Sequence, residues 1–515
     1  MRAAIVAEEE PFFSAKEKFH EIEVMLSSRE MMNKEHSEIE SYLKTEGFEL
    51  LRRMMQAHLD LRREQEQRVE VIDVKGITMT RARLSERDIE TLFGTVRAGR
   101  LAYSKKAMVS LHPLDGQLNL SQDLYSHGVR RLVAEQISKE SIDEVVNSIS
   151  KLSGATVAKR QVEELAQRAA ADFDSFYATR SVKKPAEVAQ SAPLLVIQTD
   201  GKGIVMRKED LREVTRKAAE VSRQKMSKRL SRGEKHNRKR MAQVASVYTI
   251  EHYKRTPEQI VNQLQPVRET ETERPKPEQK RIWASVEKSA GEVIEAAFEE
   301  AHKRDPKREK NWVAVVDGNK PQLDQLKAFA IKYGVTLTIV LDLIHVIEYL
   351  WRASYVFNER ETPEAEQWVS DRLLEILRGN SSLVAGGIRR SATLRELKAE
   401  ERLPADDCAD YLIDYGPHLH YDQYLAKGLP IATGVIEGAC RHLVKDRMDL
   451  TGARWGLKGA EAVLKLRSLR SSGDFDEYWQ FHLRMELQRN HKCKFFYGRL
   501  PAQKPMRLTP LRLVK

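Results

Sequence analysis

Two apolar runs, LLVIQT at 194–199 and WVAVV at 312–316, each lead straight into an Asp-Gly pair, Asp200-Gly201 and Asp317-Gly318. Uninterrupted runs of this kind read as buried strands. The stretches that follow Asp317 (NKPQLDQLKAFAIKYG) and the strand TLTIVL (LIHVIEYLWRAS) carry helical spacing. Strand, polar break and amphipathic helix in repetition is the alternation of an α/β sheet. PLLVIQTDGKGIVM reads as two short strands meeting at Asp200, Gly201 and Gly203, and AQVASVYTIEHY reads as a third.

Three strands with hairpin-like spacing followed by two strand–helix units is the order of a ribonuclease-H-like core. The expected fold class is therefore α/β, with such a core interrupted by a helical insertion. A mainly helical N-terminal region with a small β unit precedes it. At 515 residues the chain is long enough for two to four domains, since single cores stop growing at about 250–300 residues. The expected divisions are a helical segment over 1–68, a DNA-binding region over 69–178, a linker over 179–192, the first part of the core over 193–353, the insertion over 354–427, the end of the core over 428–485, and a basic tail over 486–515. Within the second division, VEVIDVKGITMTRARL and LFGTVRAGRLAYS alternate apolar residues with Arg and Lys around Gly76 and Gly94, giving a β unit with one basic face.

The same region holds a helical hairpin. Ser141 and Glu144 form a capping box before IDEVVNSISKL, Gly154 breaks the run, and Thr156 is placed to cap VAKRQVEELAQRAA. Two helices joined by a short Gly-containing turn outline a helix-turn-helix, which would present Lys159, Arg160 and Gln161 to the major groove. An ordinary packed hairpin is the competing account.

No stretch approaches the roughly 18 apolar residues of a membrane helix. The N-terminal MRAAIVAEEEPFF has acids where a signal peptide needs small residues, so a cytoplasmic location is expected. Cys408, Cys440 and Cys493 are far apart and suggest neither a disulfide framework nor a zinc site. Lys and Arg outnumber Asp and Glu by 87 to 76, a net +11, which suits a nucleic-acid partner without requiring one. The excess is locally sharp: from Arg223 to Arg240 there are nine Lys or Arg, including Arg229, Arg232, Lys239 and Arg240, against one Glu. Such a stretch either neutralises phosphates or is a solvated charged helix.

Asp200 and Asp317, each at the end of a strand and followed by Gly, can project from one sheet edge. Phosphodiester cleavage uses two divalent ions about 4 Å apart. Hard, partly hydrated Mg2+, or Mn2+ in its place, prefers carboxylate oxygen over Cys or His. Glu437 is the candidate third metal ligand: it lies between Gly434 and Gly438 on a helix whose apolar face runs through Ile436, Ala439 and Leu443. For any single Asp, a turn or helix cap is the plain alternative. Asp342 and His345, three apart, share a helix face, either as cap and core-edge histidine or as a pair orienting a catalytic carboxylate.

VIQTDGKG, VAVVDGNK, VLDLIHVIEYLW and GVIEGACRHLVKDRMDLTGARWGLKGAEAVLKLR together resemble the DDE transposases of bacterial insertion sequences, most closely the Kra-type family. TLFGTVRAGRLAY, LHPLDGQLNL, YSHGVRRLVAE and AAADFDSFY are similar to it too, so the resemblance runs from about Leu92 to His482. It implies that Asp200, Asp317 and Glu437 are a metal-binding catalytic triad and that Asp342 and His345 form the family's D-x-x-H motif. It also implies double-stranded DNA as partner, as terminal inverted repeats and as target, and a homodimer or higher oligomer to synapse two ends. The TGARW segment falls on Thr451–Trp455, where Arg454 and Trp455 offer a phosphate clamp and a stacking platform, or else a surface Arg beside a core anchor.

Overall fold

The computed structural model describes residues 10–180, 192–221, 238–263, 274–450 and 452–502. Arg229, Arg232, Thr451 and nearly all of the 179–192 linker lie outside the described residues. The chain forms two compact units, Met1–Ala178 with Asp474–Lys515, and Thr179–Gly473.

In the first unit, helices Phe13–Leu26 and His36–Glu64 precede an antiparallel hairpin, β1 (Arg81–Thr91) and β2 (Gly94–Ser104). Leu59 of the long helix packs with Ile89, Val96 and Ala98 of the hairpin. Arg81 and Arg83 of β1 are exposed, while other arginines of the hairpin are paired. Arg97 pairs with Asp88 at 3.0 Å, Arg100 with Asp115 at 3.0 Å, and Arg87 donates to the carbonyls of Ser121 and Asp123.

Three helices follow, His127–Ile137, Ile142–Leu152 and Lys159–Ala169. Ser141 and Glu144 close the capping box as expected. Thr156 does not cap the next helix. That helix begins at Lys159 behind Ala158, and the Thr156 N–H donates to the Glu90 carboxylate at 3.0 Å. Gly154 lies in the break between Leu152 and Lys159, as expected, and also allows a close approach, since a Cβ there would lie 2.7 Å from the backbone of Phe93.

Helix Phe475–Asn490 belongs to this unit, so the core boundary drawn at 485 falls inside it. A buried ionic network holds it. Asp172 accepts from His482 Nδ1 at 2.7 Å and from both Arg489 Nη atoms at 3.0 and 2.9 Å. Glu486 accepts from Arg130 at 2.5 Å and from Arg489 at 2.7 Å. Burial alone would raise both carboxyls, but these donors hold each at about 2.

The second unit is a mixed α/β structure around one five-stranded sheet of order β5-β4-β3-β6-β7. β3 (Leu194–Val205) pairs antiparallel with β4 (Lys239–Ile250), which pairs antiparallel with β5 (Glu278–Ser285). On its other side β3 runs parallel to β6 (Asn311–Val316), and β6 to β7 (Leu337–Leu341). Two expectations are corrected. PLLVIQTDGKGIVM is one strand, because Gly201 and Gly203 pair across to Gln243 and Met241 instead of turning. Asp200 therefore sits within β3 and does not end it. The third antiparallel strand is β5, whose first residues, Glu278–Lys280, are exposed and polar.

β5 is an edge strand, whose free N–H groups invite aggregation unless covered. Helix Leu457–Ser472 covers them: Ser472 Oγ accepts from the Ile282 N–H at 3.0 Å and Ser468 Oγ from that of Ala284 at 3.3 Å. On one side of the sheet Val196, Val315 and Val340 share a single core with Leu373, Ile388, Cys408 and Leu412. The helices of 354–427 thus cannot be separated from the sheet without opening its core. No helix of the described residues is long and apolar enough to cross a membrane.

Candidate active site

Strand register brings three aspartates into one row. The last registered pair between β3 and β6 is Gln198 with Val315, and Asp200 and Asp317 each lie two residues further on. Val316 pairs with Leu341 of β7, and Asp317 and Asp342 each lie one residue further on. Adjacent strands are about 4.8 Å apart, so Asp200, Asp317 and Asp342 are stations in a row across the carboxyl ends of β6 and β7. Such edges of α/β sheets are where ligands bind.

Each member of the row has distinct surroundings. Asp200 is half-buried; its Oδ1 accepts from the Gly201 N–H and its Oδ2 from Cys440 Sγ at 3.0 Å. Asp317 is half-buried, and its Oδ1 accepts from the Asn319 N–H at 3.2 Å, while Oδ2 has no partner among the described residues. The turn behind it requires Gly318, whose φ of +93° disfavours any side chain. Tyr411 and Tyr415 donate to the carbonyls of Asp317 and Gly318, clamping that turn from the helical insertion.

Asp342 is fully buried, and desolvation raises its pKa. It caps helix Leu343–Phe357 through the Ile344 N–H, and it also accepts from Thr433 N at 2.9 Å and Thr433 Oγ1 at 2.8 Å. Thr433 is the N-cap of helix Gly434–Ala439, the helix that carries Glu437. Gln198, buried in β3, holds the same helix from the other side, accepting from the Ile436 N–H at 3.1 Å. Asp342 and Gln198 together therefore fix where Glu437 begins.

Glu437 is exposed along one side and has one weak contact, Thr433 Oγ1 at 3.4 Å. Its pKa is raised, first by partial desolvation and then by the charge of Asp342, with His345 opposing and Asp200 adding. The helix passes into a π-helical turn, Cys440–Lys445, of a kind frequent at functional sites. This turn begins at Cys440, the residue that meets Asp200.

His345 does not touch Asp342; its Nδ1 lies 3.4 Å from Glu348. Among the described residues no group of three or more His, Cys, Asp or Glu side chains stands close enough together to hold a metal ion. The structure brings Asp200, Asp317 and Asp342 to one edge and Glu437 into the electrostatic reach of Asp342 and Asp200, short of a closed ligand set.

The remaining sequence candidates are dispersed. Lys159 pairs with Asp143 and Arg160 with Glu164, both exposed at the head of helix Lys159–Ala169 beside the half-buried Gln161. Arg240 donates to the carbonyls of Val286 and Asp210, so it holds backbone together, whereas Lys239 is exposed. Arg454 is exposed, but Trp455 is not available for stacking. Its ring is buried, its indole N–H donates to the Met448 carbonyl at 2.9 Å, and Arg447 covers one face. Gln198, Thr433, Cys440, Tyr411 and Tyr415 escaped the sequence reading. Only Gln198 left a signal: it is a polar residue inside a buried apolar run, two residues before Asp200.

No protein-family profile matches the chain. No curated protein matches it in sequence. Among solved structures it is similar to the Drosophila P element transposase strand transfer complex, at 10% identity over 72% of this chain and 83% of that chain, with a TM-score of 0.24. A TM-score this low carries no argument about this chain.

Proposed function

We propose that the chain is a DDE-type DNA transposase that cuts and joins DNA ends on a ribonuclease-H-like core. The observation that carries this reading is the row of Asp200 and Asp317 on neighbouring parallel strands, with Glu437 on a helix anchored to that row by Gln198 and Asp342. The sheet order β5-β4-β3-β6-β7, antiparallel on one side of β3 and parallel on the other, is the order of that core.

The donor set suits Mg2+, or Mn2+ in its place. Asp317 Oδ2 is free of partners among the described residues, and the pKa of Glu437 is raised first by partial desolvation and then by the neighbouring negative charge of Asp342 and Asp200, which a hard cation would relieve. Asp200, Asp317 and Glu437 would hold it, and when bound it would activate the attacking oxygen and stabilise the leaving one. Asp342 and Gln198 position Glu437, and the Tyr411 and Tyr415 hydroxyls keep the Asp317 turn in place. In the reaction, water attacks the phosphorus in line and the 3′ oxygen leaves. That 3′ hydroxyl then attacks a target phosphodiester, with no covalent protein intermediate.

The partner is double-stranded DNA, as terminal inverted repeats and as target, with Lys159, Arg160 and Gln161 as one contact and two copies of the chain synapsing two ends. The test is Mg2+-dependent cleavage and strand transfer on DNA carrying the flanking terminal repeats. Joined products should form with the intact chain and vanish in Glu437→Gln while end binding survives. Equal activity in that variant, or retained cleavage in Asp317→Ala, would sink the assignment. Cleavage without joining would identify a nuclease, and binding without either a DNA-binding protein.

A further inference from the structure

A cavity of about 810 Å³ opens along β3 immediately beyond Asp200, starting at Gly201, Lys202 and Gly203. Its floor includes Ile204, Val205 and Met448, all buried, while Lys202, Lys239 and Lys445 around it are exposed. None of the three lysines forms an ion pair or a side-chain hydrogen bond among the described residues, and Asp449 is the one acid in the lining. Three unneutralised cations over an apolar floor match a ligand with an anionic edge and a flat apolar body.

A nucleotide has that chemistry, its phosphate on ammonium groups and its base on apolar surface. Position selects a polymer strand over a free nucleotide. Lys202 is two residues from Asp200, about 7 Å along an extended strand, so a DNA strand with a phosphodiester at Asp200 carries its neighbouring nucleotide over this cavity. We propose that the cavity walled by β3, β4, helix Glu213–Val221 and the segment Val444–Asp449 receives an unpaired nucleotide of the DNA strand engaged at Asp200. The proposal rests on the transposase reading and adds to it a binding site for single-stranded DNA.

The test is fluorescence polarisation with the full chain in EDTA, so that no cleavage is needed. The probes are a blunt duplex and the same duplex with a short single-stranded extension. Ala218, exposed on helix Glu213–Val221, lines the cavity, and Ala218→Phe fills it without changing charge. That variant should weaken the extended probe about tenfold, as for the loss of one partly buried apolar contact, and the blunt duplex less than about twofold. Replacing Lys202, Lys239 and Lys445 by Gln should lower the salt dependence for the extended probe by about two, at about 0.7 per single-strand phosphate contact. Loss of both probes alike in Ala218→Phe, or of neither, would overturn the cavity assignment while leaving the DNA reading standing. Failure of the unaltered chain to bind either probe would overturn both.

Discussion

Asp172→Asn should loosen the C-terminal helix from the first unit by an amount set by the ionic network. Asp172 is buried and receives three hydrogen bonds from His482 and Arg489, which overcome desolvation and bring its pKa from 3.8 to about 2. At 1.36 kcal/mol per unit, that shift is on the order of 2–3 kcal/mol of stability at neutral pH. Asparagine keeps the shape but not the charge, leaving two arginines against Glu486 alone. Hydrogen exchange of peptides from helix Phe475–Asn490, read by mass spectrometry, should quicken on the order of 30- to 100-fold at pH 7, the same free energy as a ratio. The sign of the pH dependence follows from a depressed carboxylate pKa: the stabilisation is complete above about 4 and is lost as pH falls through about 2. The gap between variant and parent should thus be level from pH 7 to 5 and close below 4. A change under about threefold at pH 7, or a gap that persists undiminished at the acid end, would refute the network's role.

Thr433→Val removes the 2.8 Å bond from Thr433 Oγ1 to the buried Asp342 and frees the start of the Glu437 helix. A bond to an ionised group is worth about 1.5–3 kcal/mol, so strand cleavage should slow about 10- to 100-fold in kcat with KM little changed, and Thr433→Ser should restore it. Equal kcat in the valine variant would mean that Asp342 serves only as a helix cap. Gly318→Ala places a Cβ 3.0 Å from Leu341 Cδ1 at a φ of +93°. It should cost about 1–2 kcal/mol, visible as a fall of a few degrees in the unfolding temperature, and an unchanged temperature would show that the turn relaxes freely.

Much of the sheet was legible in the sequence because strands buried on both faces must be uninterrupted and apolar, and LLVIQT, WVAVV and TIVL are. The aspartates stood out for the same reason, as charges at the limit of such runs, and the Ser141–Glu144 capping box was legible because a cap is a contact three residues long. What failed was decided by partners distant in sequence. Gly201 and Gly203 looked like a turn, yet remain in β3 because β4 pairs with them. The exposed, polar start of β5 carries no strand signal of its own, and its strand is completed by β4 and by serines some 185 residues further on. Arg97 and Arg100 of the hairpin found partners in Asp88 and Asp115, and Trp455 became an anchor because the backbone of Val205 and Arg207 binds it against β3. The sequence by itself determined which residues can be buried strands and which carboxylates interrupt them, since solvation acts residue by residue. Only the tertiary structure decided that Asp200, Asp317 and Asp342 share a row, that Gln198 and Thr433 set Glu437, and that helix Phe475–Asn490 joins the first unit, because register and long-range hydrogen bonds exist only between segments already brought together.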